Sequence, residues 1–361
     1  MNAREYLAEF RKDIEPLMKD YFRFKKESFR KVDPLAEEAV KILEKFTMSG
    51  GKRIRPAMVY YGFLLGGGVI DEKNKKDILY ASMAIELIHS FLLIHDDIID
   101  RDAKRHGVDT IHEYYKKVAK KIFPKTDPDH FGNSMAIIAG DLAASMANEI
   151  LFDSNFLPEV ILKALKQLQK VVYTTIPGEM LDVVMEARGR TTEDEILKMH
   201  EGKTAFYTFE GPLHLGIILA NNGSDKLLKD VSEYSLATGK AFQIRDDVLG
   251  IFGDEKKLGK PVGSDIIEKK QTLLLIKALE NGNREQKKII KKLFGKKDLS
   301  LDELELFRKV IVETGALAYS ENLAKSFSEK AFGVLEQIDT KNEKGKDFLG
   351  KIAEYITVRN Y

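Results

Sequence analysis

Two stretches of the chain, residues 81–95 and 134–147, are apolar on nearly all sides when they are placed on a helix. A helix of this kind has to be enclosed by other elements, as in the middle of a bundle. No convincing run alternates as a half-buried strand does. Apolar residues recur at three- and four-residue spacing, which predicts helices, in residues 35–47, 77–101, 134–153, 158–175, 193–219, 226–250, 270–280, 285–295, 301–315, 317–338 and 345–356. The pattern therefore predicts an all-α protein built as a helical bundle.

Breaks between the predicted helices are rich in glycine, proline and short polar residues, at 50–52, 123–133, 221–225 and 252–265. The segment TTEDE at 191–195 predicts a helix start, with a threonine cap and acids in the first turn. No Gly-, Pro- or Ser-rich linker divides the 361 residues, and no internal repeat is present. We expect a single domain over residues 1–361, with a catalytic core of about 35–290 and C-terminal helices over 285–361.

Composition excludes several classes of protein. Lys and Arg number 58 and Asp and Glu 57, so a net charge of +1 argues against a nucleic-acid-binding protein with a uniformly basic surface. The chain has no cysteine, which excludes disulfides, thiolate metal sites and a cysteine nucleophile. The amino terminus lacks the apolar core of a signal peptide, and no uncharged apolar run reaches the roughly 18 residues of a membrane span. We expect a cytoplasmic protein without a transmembrane segment.

Four aspartates follow the first apolar helix, in LLIHDDIIDRD. On a helix, Asp96 and Asp100 lie one turn apart on one face, where like charges repel each other. A cation between the two carboxylates would reverse that repulsion. A solvated helix end is the commoner explanation for an arbitrary DDxxD segment, so its meaning depends on the rest of the sequence.

A second acidic pair, Asp246 and Asp247, follows another apolar run in AFQIRDD. Gln243 precedes it by one turn and shares its face of the helix. We predict that the two carboxylate-bearing helices face each other across a cavity. Hard oxygen ligands of this kind suit Mg²⁺, which takes one or two carboxylates together with substrate phosphates and water.

Basic residues near glycines could bind the phosphates of such a substrate. The segment GGKRIRP places Lys52, Arg53 and Arg55 beside backbone donors that can reach an anion. Further candidates, each of which would pass singly as an ordinary surface residue, are Arg105, Lys203 with Thr204, and Lys260. The segment GDEKKLGKP is not a P-loop, because its glycine spacing is wrong and a proline follows Lys260. The histidines include no HExxH pair.

The segments GKRIRP, HSFLLIHDDIID, GEMLD, GKT, FQIRDD and GKPVGSD, in this order, resemble those of the trans-isoprenyl diphosphate synthases, over roughly residues 35–290. Members of that family are all-α bundles around a deep central cavity, the isoprenoid synthase fold, and are usually homodimers. They join isopentenyl diphosphate head to tail with an allylic diphosphate. The resemblance implies a Mg²⁺-dependent prenyltransferase that makes a short all-trans prenyl diphosphate.

The resemblance also implies a role for each matching residue. Asp96 and Asp100 are similar to the ligands of two Mg²⁺ ions and Asp246 to the main ligand of a third, and Asp247 beside it is expected to help bind the substrate. The expected ligands of the allylic diphosphate are Arg105, Lys203, Thr204, Gln243, Lys260 and Lys270. The expected pocket for isopentenyl diphosphate contains Lys52, Arg55 and His89, and Asp182 would lie near the allylic cation together with Lys203 and Thr204.

Three departures from the family's pattern stand out. The family usually has two arginines after the first acidic motif, whereas this chain has Arg105 and then His106. Histidine makes this second position, normally part of the isopentenyl diphosphate site, dependent on pH, and predicts a rise of the KM between about pH 6 and 8. Gly250 stands where many members have a third aspartate. Residues 116–133 look longer than usual and predict a flap near the site.

Bulky residues before the first aspartate close the product tunnel in this family, and here they are Phe91, Leu92 and Ile88. One aromatic residue, Phe91, with a compact DDxxD resembles geranylgeranyl diphosphate synthases. A farnesyl or longer product stays open, and so does a Phe91 that only packs the bundle. An ideal helix places Leu92 and Ile88 nearer the carboxylate face than Phe91.

Three other functions are compatible with parts of the sequence. His95 and Asp96 imitate the HD signature of metal-dependent phosphohydrolases, which would leave GKRIRP and Lys203 without a role. Terpene cyclases share DDxxD, but their second motif is missing from the later helix. The chain could also be a non-catalytic subunit of a heteromeric synthase, although its acidic and basic sets are intact.

Overall fold

The computed structural model describes residues 1–253, 262–340 and 342–358, and in these ranges the protein is almost entirely helical. A helix lies in every range for which the apolar spacing predicts one, so the all-α prediction is confirmed. The helices are α1 (Ala3–Arg30), α2 (Pro34–Met48), α3 (Ile54–Leu65), α4 (Lys75–Asp100), α5 (Ile111–Ile122), α6 (Pro128–Phe152), α7 (Pro158–Arg188), α8 (Glu193–His200), a π-helical segment (Glu201–Glu210), α9 (Gly211–Ala220), α10 (Asp225–Phe252), α11 (Ser264–Ile267), α12 (Leu273–Asn281), α13 (Arg284–Leu293), α14 (Leu301–Glu313), α15 (Ala316–Gln337) and α16 (Glu343–Val358).

Helix α1 is absent from the sequence prediction. It has 28 residues and begins with a capping box, in which Asn2 and Glu5 each accept a hydrogen bond from the other's backbone N–H. Apolar side chains recur every four residues along it and are buried, at Tyr6, Phe10, Ile14, Met18 and Phe22. This four-residue spacing was visible in the sequence between the charges.

The segment 116–133 is not a flap. Helix α5 occupies its first half, and its residues Ile111, Tyr115 and Ala119 are buried. Helix α6 begins at Pro128, where the Asp127 carboxylate accepts hydrogen bonds from the first-turn N–H groups. The flap prediction is wrong because α5 has an apolar stripe, which packs against α6.

The chain divides into two compact units. Unit 1 comprises Met1–Leu168 and Pro212–Gly223, and unit 2 comprises Gln169–Gly211 and Ser224–Tyr361. In unit 1, α4 packs against α3 and α6. In unit 2, α10 packs against the π-helical segment, α15 and α16. The expectation of a single domain stays a prediction.

Helices α4 and α6 carry the two apolar stretches, and both pack inside unit 1. Both are long and apolar enough to cross a bilayer, with 67% and 44% of their apolar windows buried inside the protein. Core helices of globular domains meet the same criteria. That the chain lacks a transmembrane segment therefore stays a prediction.

Candidate active site

The first acidic motif occupies the C-terminal end of α4. The carboxylate of Asp97 points inward and is fully buried, whereas Asp96 and Asp100 are partly exposed. Carboxylates at this end of a helix face the negative end of its dipole, so they need positive partners. Only the partly exposed pair, Asp96 and Asp100, is accessible to a ligand.

Arg105 supplies positive charge to this helix end. Its Nε donates to Asp97 Oδ1 at 2.6 Å, and its Nη2 lies 3.4 Å from Asp96 Oδ2. Burial raises the pKa of Asp97 to about 7, although the Arg105 guanidinium opposes this rise. Burial alone would lower the pKa of Arg105, but the neighbouring carboxylates outweigh it and hold this pKa above its ordinary value.

A β-hairpin places Arg105 beside α4. Strand β1 (Lys104–Arg105) pairs with strand β2 (Val108–Asp109), and the turn between them is His106–Gly107. Both turn residues have positive φ, 49° and 79°, as tight hairpin turns require. The sequence prediction contained no strand, because two residues are too few to show an alternating pattern.

A basic cluster lies two turns before the aspartates. Arg55, on the first turn of α3, has its Nη1 3.2 Å from His89 Nε2 on α4. Lys52 is exposed in the loop before α3. Burial and the charges of Arg55, Arg105 and Arg53 lower the pKa of His89 well below its ordinary value. His89 is therefore a neutral imidazole near neutral pH.

His106 belongs to the same cluster. Its ring packs on Gly50, where an added Cβ would lie 2.9 Å from His106 Cγ. Partial burial and the charges of Arg105 and Arg53 lower the pKa of His106. Unit 1 thus brings together three sequence candidates for isopentenyl diphosphate binding, Arg55, His89 and His106, and the fourth, Lys52, lies in the loop before α3.

The π-helical segment of unit 2 carries Lys203 and Thr204. The Lys203 ammonium group contacts Asp182 Oδ2 at 2.8 Å and Glu179 Oε2 at 3.0 Å. Gly178 and Gly202 let α7 approach the backbone of this segment closely. An added Cβ at Gly178 would lie 2.4 Å from the backbone nitrogen of Lys203. Segments with π-helical winding are rare and occur often at functional sites.

A polar chain connects the π-helical segment with the second acidic motif. The Thr204 hydroxyl donates to Gln243 Oε1 at 2.6 Å, and Gln243 Nε2 donates to Asp247 Oδ1 at 3.0 Å. His200, fully buried, places its Nε2 3.3 Å from Asp247 Oδ2. Sequence reasoning missed His200 because no local pattern relates it to an aspartate 47 residues later.

Of the second acidic pair, Asp246 is partly exposed and Asp247 is buried. Gly250, one turn after Asp246, has no side chain and so leaves space for the carboxylate of Asp265. An added Cβ at Gly250 would lie 2.2 Å from Asp265 Oδ2. Asp265 is buried and begins α11 with Ser264. The Asp265 carboxylate therefore occupies the volume that a third aspartate at position 250 would need.

Two further candidates lie beyond α10. Lys270 follows α11, and its Nζ lies 3.5 Å from Glu268 Oε2. Lys260 lies outside the described residues.

The predicted chain-length residues lie on α4. Ile88 is fully buried, and Phe91 and Leu92 are half-buried. The Phe91 ring meets the His95 ring edge to face, with centroids 4.9 Å apart. His95 Nε2 lies 3.3 Å from the Ile137 carbonyl, so this side of α4 faces α6.

The accessible donors of both acidic motifs fit Mg²⁺. Asp96, Asp100 and Asp246 offer hard carboxylate oxygens. Among the residues that the structure describes, no three His, Asp or Glu side chains surround a common point. Mg²⁺ does not need such a cage, because phosphate oxygens and water complete its coordination.

Comparison with known proteins places the chain in a family. Residues 36–311 match the polyprenyl synthetase family. A geranylgeranyl diphosphate synthase of Saccharolobus solfataricus is 35% identical over 86% of this chain and 87% of that protein. A geranylfarnesyl diphosphate synthase of Aeropyrum pernix is 33% identical over 86% of this chain and 91% of that protein.

A solved structure agrees with these relatives. The geranylgeranyl pyrophosphate synthase from Corynebacterium glutamicum, complexed with isoprenyl diphosphate and magnesium, has a TM-score of 0.89 and 31% sequence identity. The match covers 99% of this chain and 100% of that one. The fold is therefore that of the isoprenoid synthases, and the chain is an enzyme of the polyprenyl synthetase family.

Proposed function

We propose that the protein condenses isopentenyl diphosphate head to tail with an allylic diphosphate, and that its product is geranylgeranyl diphosphate. One observation carries the proposal: α4 bears the Arg55–His89 contact two turns before the partly exposed Asp96. A positively charged site that could bind an anion, formed by Arg55 of α3 and His89 of α4, thus lies beside the same helix that carries the pair of carboxylates. Such an arrangement suits a reaction between two diphosphates.

Asp96, Asp100 and Asp246 would hold Mg²⁺, three ions in all when the allylic diphosphate is bound. Bound Mg²⁺ supplies charge stabilisation for the departing diphosphate. Arg105 and Lys203, as expected ligands of the allylic diphosphate, would each add positive charge to stabilise its departure. Asp97 fixes the direction of the Arg105 guanidinium through the 2.6 Å hydrogen bond.

Lys52, Arg55, His89 and His106 would bind isopentenyl diphosphate. Arg55 and Lys52 neutralise the anion, and the neutral His89 donates one N–H. In unit 2, Thr204 and Gln243 bind the allylic diphosphate, and Asp182 orients Lys203 through their 2.8 Å contact. Asp247, which we expected at the substrate, is buried against Gln243 and His200, so it positions the Gln243 amide.

An assay of the purified protein tests this function. Isopentenyl diphosphate is supplied with dimethylallyl, geranyl or farnesyl diphosphate, with and without Mg²⁺, and products are identified by mass. We expect geranylgeranyl diphosphate and no turnover without Mg²⁺. A geranylfarnesyl product would correct the chain length, since a relative with that name is nearly as similar as the geranylgeranyl synthases. Lack of turnover until a second protein is added would indicate a subunit of a heteromeric synthase.

We propose that the protein acts in the cytoplasm as a homodimer. In unit 1, α6 exposes Ile137 and Ile138, and in unit 2, α7 exposes Tyr173, Ile176 and Met180. Clustered exposed apolar residues are typical of protein interfaces. Sedimentation of the assay sample is expected to give twice the chain mass of 40.9 kDa, and a monomer would contradict the homodimer.

Replacement of Phe91 tests the chain-length assignment. Phe91→Ala removes the ring that contacts His95, which should open space on the side of α4 that faces α6. We expect longer products by chromatography than those of the wild type. Leu93→Ala, a half-buried change two residues away, is the control and should leave product length unchanged. Unchanged length in Phe91→Ala would assign Phe91 to packing alone.

His106 makes isopentenyl diphosphate binding depend on pH. A charged imidazole binds the diphosphate better, so the KM rises as pH rises through the pKa of His106. Because this pKa is lowered in the protein, the rise should lie mainly below about pH 6.5, more acidic than the sequence alone predicts. The control is His106→Arg, because arginine stays positively charged over this pH range. Protonation of the substrate affects both proteins alike, so it cancels when the KM of the wild type is divided by the KM of the variant. A ratio that does not change with pH would contradict this role.

A further inference from the structure

Arg53 stands between Lys52 and Arg55 in GGKRIRP but faces the opposite way. Only 4% of it is exposed, whereas Lys52 is open to solvent. Its backbone is left-handed, with φ of 56°, at the residue before α3 begins. A non-glycine residue keeps such a conformation only when its surroundings hold it there.

The guanidinium of Arg53 is held from several sides. Its Nη1 donates to the Thr47 carbonyl at 2.9 Å and also to the carboxylate of Glu86. Its Nε lies 3.9 Å from Glu15 Oε1 on α1. The Thr47 and Ser90 hydroxyls, 2.8 Å apart, add a second connection between the end of α2 and α4.

The ion pair joins the two elements that carry the basic cluster. Glu86 lies one turn before His89 on α4, and Arg53 lies two residues before Arg55. The contact between Arg55 and His89, at 3.2 Å, is the next one along the same interface. The loop that leads to Arg53 also packs Gly50 against the His106 ring. Four residues of the proposed substrate site thus depend on where Arg53 is anchored.

We propose that Arg53 and Glu86 are a positioning pair for the isopentenyl diphosphate site. They do not touch substrate; they fix the loop so that Lys52, Arg55 and the two histidines converge. Stability alone does not explain such a pair, because apolar residues of similar volume usually replace a buried ion pair without loss. The guanidinium donates through Nη1 to a carbonyl and a carboxylate and turns Nε toward Glu15, and the single ammonium group of a lysine does not reproduce this planar arrangement. This inference rests on the proposed function.

The experiment replaces both partners at once, as R53M/E86L. Removing one partner would leave a buried charge and could unfold the protein, whereas the double change should keep the melting temperature. We expect the KM for isopentenyl diphosphate to rise about 10-fold or more, because small misplacements of binding groups are costly. The KM for the allylic diphosphate should change less than about 2-fold. R53K, which keeps the charge but loses the fork, should show a smaller rise in the same KM.

The matched control is K25M/E149L. It removes another helix-to-helix ion pair of unit 1, whose lysine side chain is 8% exposed, and should change neither KM. A folded R53M/E86L with unchanged KM for isopentenyl diphosphate would overturn the proposal. If the double variant does not fold, an unchanged KM in R53K overturns it instead. If the wild type consumes no isopentenyl diphosphate, the proposed function is contradicted. The role of the Arg53–Glu86 pair is then tested separately, by calorimetric measurement of isopentenyl diphosphate binding to the wild type and to the double variant.

Discussion

Asp96→Ala is expected to lower turnover at least about 100-fold while leaving the helical circular dichroism unchanged. The carboxylate lies partly exposed beside Arg105 and, in our proposal, holds Mg²⁺ at the allylic diphosphate. Alanine is the strongest helix former, and the change also removes repulsion within the acidic motif. The measurement is kcat at saturating substrates and Mg²⁺, with Asp246→Ala expected to behave alike.

Asp77→Ala is the matched control for this prediction. Asp77 lies in the first turn of the same helix, at the end away from the acidic motif, and accepts a hydrogen bond from Asn155. Its replacement should leave kcat unchanged. Activity in Asp96→Ala within a few-fold of wild type would mean that the first acidic motif does not hold the metal.

Gly250→Asp, which restores the family's third aspartate, is expected to damage the enzyme. An added Cβ would lie 2.2 Å from Asp265 Oδ2, so the new side chain and the buried carboxylate compete for one volume. Overpacking of this kind costs about 1–3 kcal/mol, and two close carboxylates add repulsion. We expect a lower melting temperature and at least about 10-fold lower kcat, measured by thermal unfolding and by the synthase assay.

Removing Asp265 should relieve the conflict. In the double variant G250D/D265A the new aspartate has room, so the melting temperature should recover relative to Gly250→Asp. Comparison of both single variants with the double variant gives the coupling between the two positions. A Gly250→Asp protein as stable and active as wild type would show that Asp265 moves aside freely.

The regular spacing of apolar residues in the sequence was enough to predict most of the helices. The apolar spacing of 226–250 and 317–338 appears as α10 and α15 almost unchanged. The capping box at Thr192 and Glu195 confirms the predicted start of α8. Such elements are predictable because neighbouring residues alone encode them.

Errors arose where distant contacts decide the local structure. The apolar spacing predicted a helix that ends at residue 175, yet α7 continues through Pro177 to Arg188. The backbone of the next residue, Gly178, packs directly on the π-helical segment at Gly202, and such packing outweighs the local cost of proline. Helix α3 was missed because glycines precede it and Pro56 lies in its first turn.

The motif residues of the site could be named from the sequence, but their buried partners could not. Arg53 and Glu86 are 33 residues apart, and no local pattern relates them. Asp265 ends the segment GKPVGSD, but its role does not follow from that segment, since only the fold places it beside Gly250. Resemblance to a family indicates which side chains bind the substrate, whereas the buried side chains that hold them in position are found only from three-dimensional contacts.

The winding of residues 201–210 has a consequence for how this protein can change over time. A π-helix accommodates one more residue per hydrogen-bonded turn than its α-helical neighbours. Loss of a single residue there would rewind the stretch and rotate Lys203 and Thr204 by about 100° relative to the later residues of the segment. A one-residue deletion in this stretch would therefore displace both side chains at once, which no single substitution there does.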